Sequence, residues 1–328
     1  MANIFRDKSV LVTGGTGSIG SEIVRRLLEL KPRVVRVLSN DENSLFSLQQ
    51  ALKNRADVRF LVGDIRDKER VRKAVEGIDF IFHAAALKHV PLCEYNPFEA
   101  VKTNALGTQN LIEVALEEKV SKFIAISTDK AVNPVNVMGA TKLLAERLTI
   151  SANYYKGTRE TVFACVRFGN VLDSRGSVVP LFQEQIKSGG PLTITDPEMT
   201  RFVMTLPRAT ALVLKAAEIA RGGEIFIFKM SALRIGDLAE AMVEQLAPKY
   251  GYDPAKIKIK ITGKRAGERA QEELITEEEA ENAYEAEDML IVLPSAAGEA
   301  PAGKLPAGYY SSKNAKLLTK SQIKKMLG

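Results

Sequence analysis

The chain has 328 residues, 45% of them hydrophobic and 26% charged, which suits one large domain or two closely joined ones of about 100–200 residues each. That balance excludes a mainly disordered chain and a long coiled coil. The formal charge of +6 comes from 46 basic and 40 acidic residues, and with no basic cluster interleaved with aromatics it argues against a nucleic-acid partner.

No apolar run approaches the roughly 18–20 residues of a membrane span, and the segment Met1 to Lys8 lacks the apolar stretch of a signal peptide. No membrane span and a cytoplasmic location are therefore expected. Two cysteines and two histidines, Cys93, Cys165, His83 and His89, predict neither a disulfide framework nor a metal site.

In chain order, short β-rich apolar runs alternate with amphipathic helical patterns. Strands are predicted at Ser9 to Thr13, Val34 to Leu38, Val58 to Val62, Phe80 to His83, Phe123 to Ser127 and Thr161 to Arg167. Helices fit between them at Ser21 to Leu30, Ser44 to Lys53, Lys68 to Glu76, Phe98 to Glu118 and Ala140 to Tyr155. This alternation implies an α/β fold, a parallel sheet covered by helices on both faces. Beyond Asn170 the chain is punctuated by Gly and Pro, which suits a smaller substrate-covering portion better than more of the same sheet. Helices are still expected there at Ala209 to Ala220, Ile235 to Leu246 and Ser321 to Leu327, with a loop at Ser295 to Gly308. The acidic stretch Glu268 to Asp288 and the lysine-rich one from Lys313 to Lys325 read as solvated helix faces.

The chemistry lies at the carboxyl ends of the first five strands. Thr13 to Gly20, TGGTGSIG, lies between a strand and a helix, where Gly14, Gly17 and Gly20 permit a tight turn and close approach of a pyrophosphate to helix N–H groups. After the second strand, Ser39 stands where an acidic residue would favour NAD; it removes a repulsive charge, yet no arginine follows to favour NADP. Asp64 and Ile65 follow the third strand and suit the adenine, although Asp64 or Asp67 serves equally as a helix cap. After the fourth strand, Ala84, Ala85 and Ala86 let the chain pass close to a flat ligand, with Lys88 and His89 beyond them. Ser127 to Lys142 leaves the fifth strand with Thr128, Asp129 and Lys130, and sets Met138 and Lys142 one helical turn apart on one face. Asp129 and Lys130 read either as a structural ion pair or as proton donor and acceptor.

These strings, with HAAALKHVP, STDKAVNP, RFGNVLDSRGSVVP (Arg167 to Pro180), MTRF (Met199 to Phe202) and RAGER (Arg265 to Arg269), resemble the extended short-chain dehydrogenase/reductase superfamily. Within it they resemble the branch of UDP-N-acetylglucosamine 4,6-dehydratases, polysaccharide biosynthesis proteins. The resemblance implies a Rossmann-type doubly wound parallel sheet over residues 1–170 and a smaller substrate-binding portion over 171–328, interleaved with the first. It implies NADP as cofactor, with NAD the alternative, held by Gly14, Thr16, Gly17, Ser18, Ile19, Gly20, Ser39, Asn40, Asp64, Ile65, Ala84, Ala85, Ala86, Lys88, Asn104 and Lys142. A UDP-sugar would meet Lys88, His89, Asn170, Ser177, Val178 and Pro180, with Arg201 and Arg265 near the diphosphate and Glu268 near the ribose. From the residues alone, the two arginines read equally as salt-bridge partners.

The implied reaction oxidises sugar C4, eliminates water across C5 and C6, and returns the hydride to C6. Lys130 is assigned as the C5 base, Asp129 as the acid for the C6 hydroxyl, Thr128 as the group orienting the C4 hydroxyl and Lys142 as the ribose ligand. Met138 occupies the place of the superfamily's usual tyrosine, and Asp173 stands where the branch usually has glycine. The rivals are a UDP-sugar 4-epimerase and, in a different class, a non-catalytic dinucleotide-sensing protein. Apolar residues beyond one stripe of the two long helices, Leu143, Leu144, Leu148 and Ile150 among them, predict a homo-oligomer; the alternative is that both faces are buried within one chain.

Overall fold

The protein's structure, a computed structural model, describes residues 3–264, 267–294 and 310–328. The expected loop at Ser295 to Gly308 lies outside the described residues. In the first half, strands β1 (Ser9–Thr13), β2 (Val34–Ser39), β3 (Val58–Val62), β4 (Phe80–His83), β5 (Lys122–Ile126) and β6 (Val162–Arg167) alternate with helices α1 (Ser18–Glu29), α2 (Glu42–Ala51), α3 (Lys68–Val75), α4 (Val90–Tyr95), α5 (Pro97–Ala100), α6 (Gly107–Glu117) and α7 (Val137–Tyr155). There follow β7 (Asn170–Val171), α8 (Val178–Lys187), β8 (Leu192–Ile194), β9 (Thr200–Met204), α9 (Leu206–Ile219), β10 (Ile225–Phe228), β11 (Ser231–Arg234), α10 (Ile235–Leu246) and β12 (Ile259–Ile261). The last elements are α11 (Glu277–Glu281), β13 (Ala283–Glu285), β14 (Met289–Val292) and α12 (Lys320–Leu327).

The sheet order β13-β14-β10-β6-β5-β4-β1-β2-β3 is parallel from β3 to β10, with β14 and β13 added antiparallel at one edge. It is a Rossmann-type doubly wound sheet. Its interior strands are buried on both faces, as in β1 and β4, whose apolar runs leave no polar side to present to water. Helix α1 packs beside α9 on one face, and α3, α6 and α7 lie side by side on the other. The chain after 170 does return to this sheet through β10, β14 and β13, while a three-stranded sheet β11-β9-β7 and a two-stranded sheet β12-β8 stand apart. A second core built on Phe182, Ile186, Leu192, Leu238 and Met242 lies under them. Winding direction reverses between β1 and β4, so a cleft opens at their carboxyl ends.

Two expectations need correction. The helix expected over 98–118 is broken: α5 runs into a π-helical stretch, Val101–Leu106, before α6. Gly107 at that junction lies against Ile65, whose Cδ1 would be 2.7 Å from an added Cβ, so the register shift lets the helix sit close on the chain after β3. The acidic stretch is not simply solvated, since Glu272 and Glu279 are buried. The terminal lysines do lie at the surface as expected, and two of them tie α12 to α10, Lys320 to Glu240 and Lys324 to Glu244 at 2.6 Å. Among the described residues, no helix is long and apolar enough to cross a membrane.

Candidate active site

The turn after β1 brings Gly14 against the chain after β4. Its φ is +62°, and an added Cβ would lie 2.6 Å from the Ala85 nitrogen, so the position excludes a side chain on both counts. Gly17 caps α1, whose first N–H groups open into the cleft. A cavity of about 740 Å³ runs from there, lined by Gly14, Thr16 to Gly20, Ser39, Asn40, Asp64, Ile65, Ala84 to Lys88, Met138 and Lys142. A glycine cradle at a helix N-terminus, facing a run of alanines, fits a dinucleotide.

Most of the expected cofactor residues are therefore brought together, and one is not. Asn104 is buried and its amide is fully engaged: Oδ1 accepts from the Leu87 amide at 2.8 Å, and Nδ2 donates to the Leu87 carbonyl and Thr141 Oγ1 at 3.0 Å each. It fixes the loop after β4 instead of facing the cleft. Asp64 lines the cleft but is also paired with Arg66 at 2.6 Å, while Asp67, not Asp64, caps α3. Ser39 Oγ and Thr16 Oγ1 lie 2.9 Å apart, joining the second strand to the glycine turn.

Sequence reasoning missed Arg175. Its guanidinium donates to the Thr16 carbonyl and reaches Ser44 Oγ at 3.5 Å, and its amide donates to Ser18 Oγ at 3.0 Å. Lys88 Nζ donates to the Arg175 carbonyl at 2.5 Å. The loop after β7 is thus strapped across the glycine turn, bringing a cation to Ser44 from 131 residues further along the chain, on the wall of the cleft that Ser39 also lines. Asp173 in this strap has φ of 60°, a left-handed conformation suited to the glycine usual there.

Beneath the cleft, the imidazole of His83 is buried, with Nδ1 2.7 Å from Thr13 Oγ1 and Nε2 2.9 Å from Thr108 Oγ1. Burial, with the nearby Lys142 charge, pushes its pKa down to about 3. The folded protein then holds His83 neutral while an unfolded chain protonates it below about 6.5, so this contribution to stability is lost as pH falls from 6.5 toward 3. With only two histidines in the chain, NMR titration should show one imidazole that stays neutral at pH 5; protonation of both by that pH would contradict the geometry.

A second cavity, of about 660 Å³, is lined by Asn170, Ser177, Val178, Pro180, Arg201, Glu268 and Glu272. Asn170 Oδ1 and Ser177 Oγ, on residues that line both cavities, are buried with no hydrogen-bond partner among the described residues, so the junction of the two is built to receive a polar ligand. Lys88 and His89, expected on the substrate side, line the first cavity and not the second. Arg201 faces the second cavity with donors already engaged by the carbonyls of Thr200 and Arg269, and pairs with Glu268 at 3.7 Å. Arg265 lies outside the described residues.

Lys130 lines both cavities. Its Nζ is 2.9 Å from Asp129 Oδ1 and 3.6 Å from Glu272 Oε1. Burial works against its charge, and the carboxylates of Asp129 and then Glu272 more than offset this, holding the ammonium above the ordinary lysine range. Asp129 is fully buried and lines neither cavity. It reaches the first cavity through Thr128, which lines it and whose Oγ1 donates to Asp129 Oδ1 at 2.8 Å. A Cβ on Gly169 would come within 3.0 Å of Asp129 Oδ2, so the carboxylate lies directly under that glycine. Lys142 Nζ donates to the Ile126 carbonyl at 2.6 Å, and burial pushes its pKa down. Met138 faces the same cleft and packs with Cys93 and Ala100.

A profile of a family described as polysaccharide biosynthesis protein matches residues 10–294. A protein of Methanocaldococcus jannaschii named as an uncharacterized membrane protein is 62% identical over 100% of this chain and 97% of its own. The UDP-N-acetylglucosamine 4,6-dehydratase (inverting) of Campylobacter jejuni is 45% identical over 89% of this chain and 84% of its own. A UDP-glucose 4-epimerase of Rickettsia canadensis is 44% identical over 84% of this chain and 80% of its own. Among solved structures, Pen from Bacillus thuringiensis superposes with a TM-score of 0.94 at 47% identity, covering 98% of each chain.

Proposed function

The chain belongs to the polysaccharide biosynthesis protein family, and we propose that it is a nucleotide-sugar 4,6-dehydratase acting on UDP-N-acetylglucosamine. The observation that carries this reading is the place of Lys130, on the wall of both cavities and paired with buried Asp129. An adjacent amine and acid where a dinucleotide cleft meets a sugar cavity suit an elimination, which needs a base at C5 and a proton for the departing hydroxyl. An epimerase has no leaving hydroxyl to protonate. The C. jejuni dehydratase supports the same reading and the Rickettsia enzyme the rival, so the assay must separate them. Mass spectrometry of UDP-N-acetylglucosamine incubated with the protein is expected to show loss of one water. An isomer of unchanged mass would establish the epimerase, and no turnover the sensing protein.

A nicotinamide dinucleotide, when bound in the cleft, supplies the hydride acceptor and donor of a cycle with no net oxidation. The chain's own groups do the rest. Thr128 orients the C4 hydroxyl and passes its proton to Asp129 along their 2.8 Å hydrogen bond. Asp129 returns a proton by the same path to the leaving C6 hydroxyl. Lys130 takes the C5 proton, and the Lys142 cation supports charge developing on the C4 oxygen.

We favour NADP over NAD, because Ser39 adds no charge against a 2′-phosphate and Arg175, at Ser44, supplies a cation on the wall of the same cleft. Arg175→Ala is expected to lose about 1.5–3 kcal/mol of nucleotide affinity, the worth of a hydrogen bond to a charged group. Nucleotide retained through gel filtration should then fall tenfold or more; full retention would remove Arg175 from the cofactor site.

We also propose a homo-oligomer. Leu92, Tyr95, Phe98, Leu106 and Leu144 are exposed around α4 to α7, whereas Leu148 and Ile150 pack against the chain's own core. Light scattering should find a species larger than the 35.9 kDa chain at micromolar concentration; the monomer alone would overturn this.

A further inference from the structure

Removal of a C5 proton by Lys130 needs a free amine, yet the resting site holds an ammonium. Asp129, the nearer carboxylate, is taken up by the proton arriving through Thr128, which leaves Glu272 as the other carboxylate facing Lys130. It lies between β12 and α11, its amide donating to Ser312 Oγ at 2.9 Å and its carbonyl accepting from the Ser312 amide at 2.9 Å, so its backbone is pinned from both sides. The side chain is buried on the wall of the second cavity. Oε1 sits 3.6 Å from Lys130 Nζ and 3.9 Å from Arg201 Nε, and Oε2 has no hydrogen-bond partner among the described residues.

A purely structural counter-ion would use both oxygens in short hydrogen bonds, as buried charges require. Glu272 instead stands just beyond hydrogen-bond distance of the amine, with one oxygen unsatisfied. The groups facing it are Lys130, Asp129, Arg201 and Arg269. Burial and the Asp129 charge favour its neutral form, the three cations oppose it, and the balance lies above the ordinary glutamate range. An anion that engages Arg201 or Arg269 withdraws part of that cationic support.

We propose that Glu272 accepts the ammonium proton of Lys130 when an anionic nucleotide-sugar enters the second cavity, so that Lys130 becomes a base only in the loaded site. This rests on the dehydratase reading. One N–H bond of Lys130 breaks and an O–H bond forms on Glu272; the freed lone pair then takes the C5 proton. When C5 is reprotonated by Lys130 the amine recovers its proton from Glu272, and no electrons are gained or lost.

Glu272→Gln keeps the shape and removes the proton acceptor. At pH 7 its kcat should fall about 10²-fold or more with KM changed less than about threefold. Its rate should then climb with pH, toward the lysine's own range near about 10.4, because the amine must lose its proton to solvent; the wild type should be flat between pH 7 and 9 on the same scale. A loss that is the same at every pH, or no loss, would overturn the proposal. Glu272→Asp, which keeps a carboxyl further from Lys130, should give an intermediate rate with a flat profile, and tests the idea should the glutamine variant not fold. Infrared difference spectra on adding UDP alone should show a protonated-carboxyl band in the wild type that Glu272→Gln lacks; absence of that band in the wild type also overturns it. If the wild type does not dehydrate the sugar, the dehydratase reading fails, and the infrared band still decides whether Glu272 takes a proton.

Discussion

Lys130→Ala and Asp129→Asn are each expected to lower dehydration by about 10²–10⁴-fold, the usual worth of a positioned base or acid, whereas Met138→Ala keeps much of the wild-type rate. Lys130 is the only one of the three that lines both cavities. Asp129 acts at one remove, through Thr128, and its amide analogue would keep the hydrogen bond to Thr128 but could neither store a proton nor return it. Met138 has a thioether with no proton to give, and its role is packing against Cys93 and Ala100. Met138→Tyr should not rescue Asp129→Asn, because the elimination would still lack its acid. Kinetics on folded variants test this directly: a dead Met138→Ala beside a near-normal Asp129→Asn would reverse the assignment.

The first six strands were legible because each is a short, β-rich apolar run, wholly buried in β1 and β4 and exposed only at the edge strand β3. Their edges moved by no more than a residue. The site followed from them, since residues at the carboxyl ends of β1, β4 and β5 must converge where the winding reverses. What local pattern could not show was pairing between distant segments. β10 is an apolar run, Ile225-Phe226-Ile227-Phe228, that could have been read as a seventh parallel strand. The antiparallel β14 that pairs with it follows only from the fold. Asn104 went wrong because its amide satisfies a loop 17 residues upstream, a demand visible only once both are placed. Arg175 and Glu272 were missed for the same reason: each reaches its partners across the molecule, and no spacing in the sequence joins them.

Arg167→Ala is expected to cost about 3–5 kcal/mol of stability, the penalty for breaking a buried ion pair by removing one partner. Arg167 ends β6 and is 1% exposed. Its Nε and Nη2 donate to Glu146 on α7 at 3.0 and 2.7 Å, its Nη1 and Nη2 to Glu279 on α11 at 2.7 and 2.9 Å, and Nη1 also to the Leu274 carbonyl at 3.0 Å. One guanidinium thus joins the sheet to a helix on either side of it in sequence. Burial works against its charge and the Glu146 carboxylate, followed by Glu279, more than offsets that. Glu279 in turn is raised by burial and lowered by Arg167, and the net result lies below its ordinary value. In the wild type this pair therefore stabilises the fold above the ordinary glutamate range and loses that contribution as pH falls through the folded value. In Arg167→Ala, Glu279 keeps its burial and loses the cation, so its carboxyl is easier to protonate folded than unfolded and acidification relieves the variant. The deficit measured by urea denaturation should accordingly be largest near pH 7 and shrink toward pH 4.5. A deficit below about 1 kcal/mol, the range of an exposed pair, or one that does not change with pH would show that the two carboxylates do not depend on Arg167.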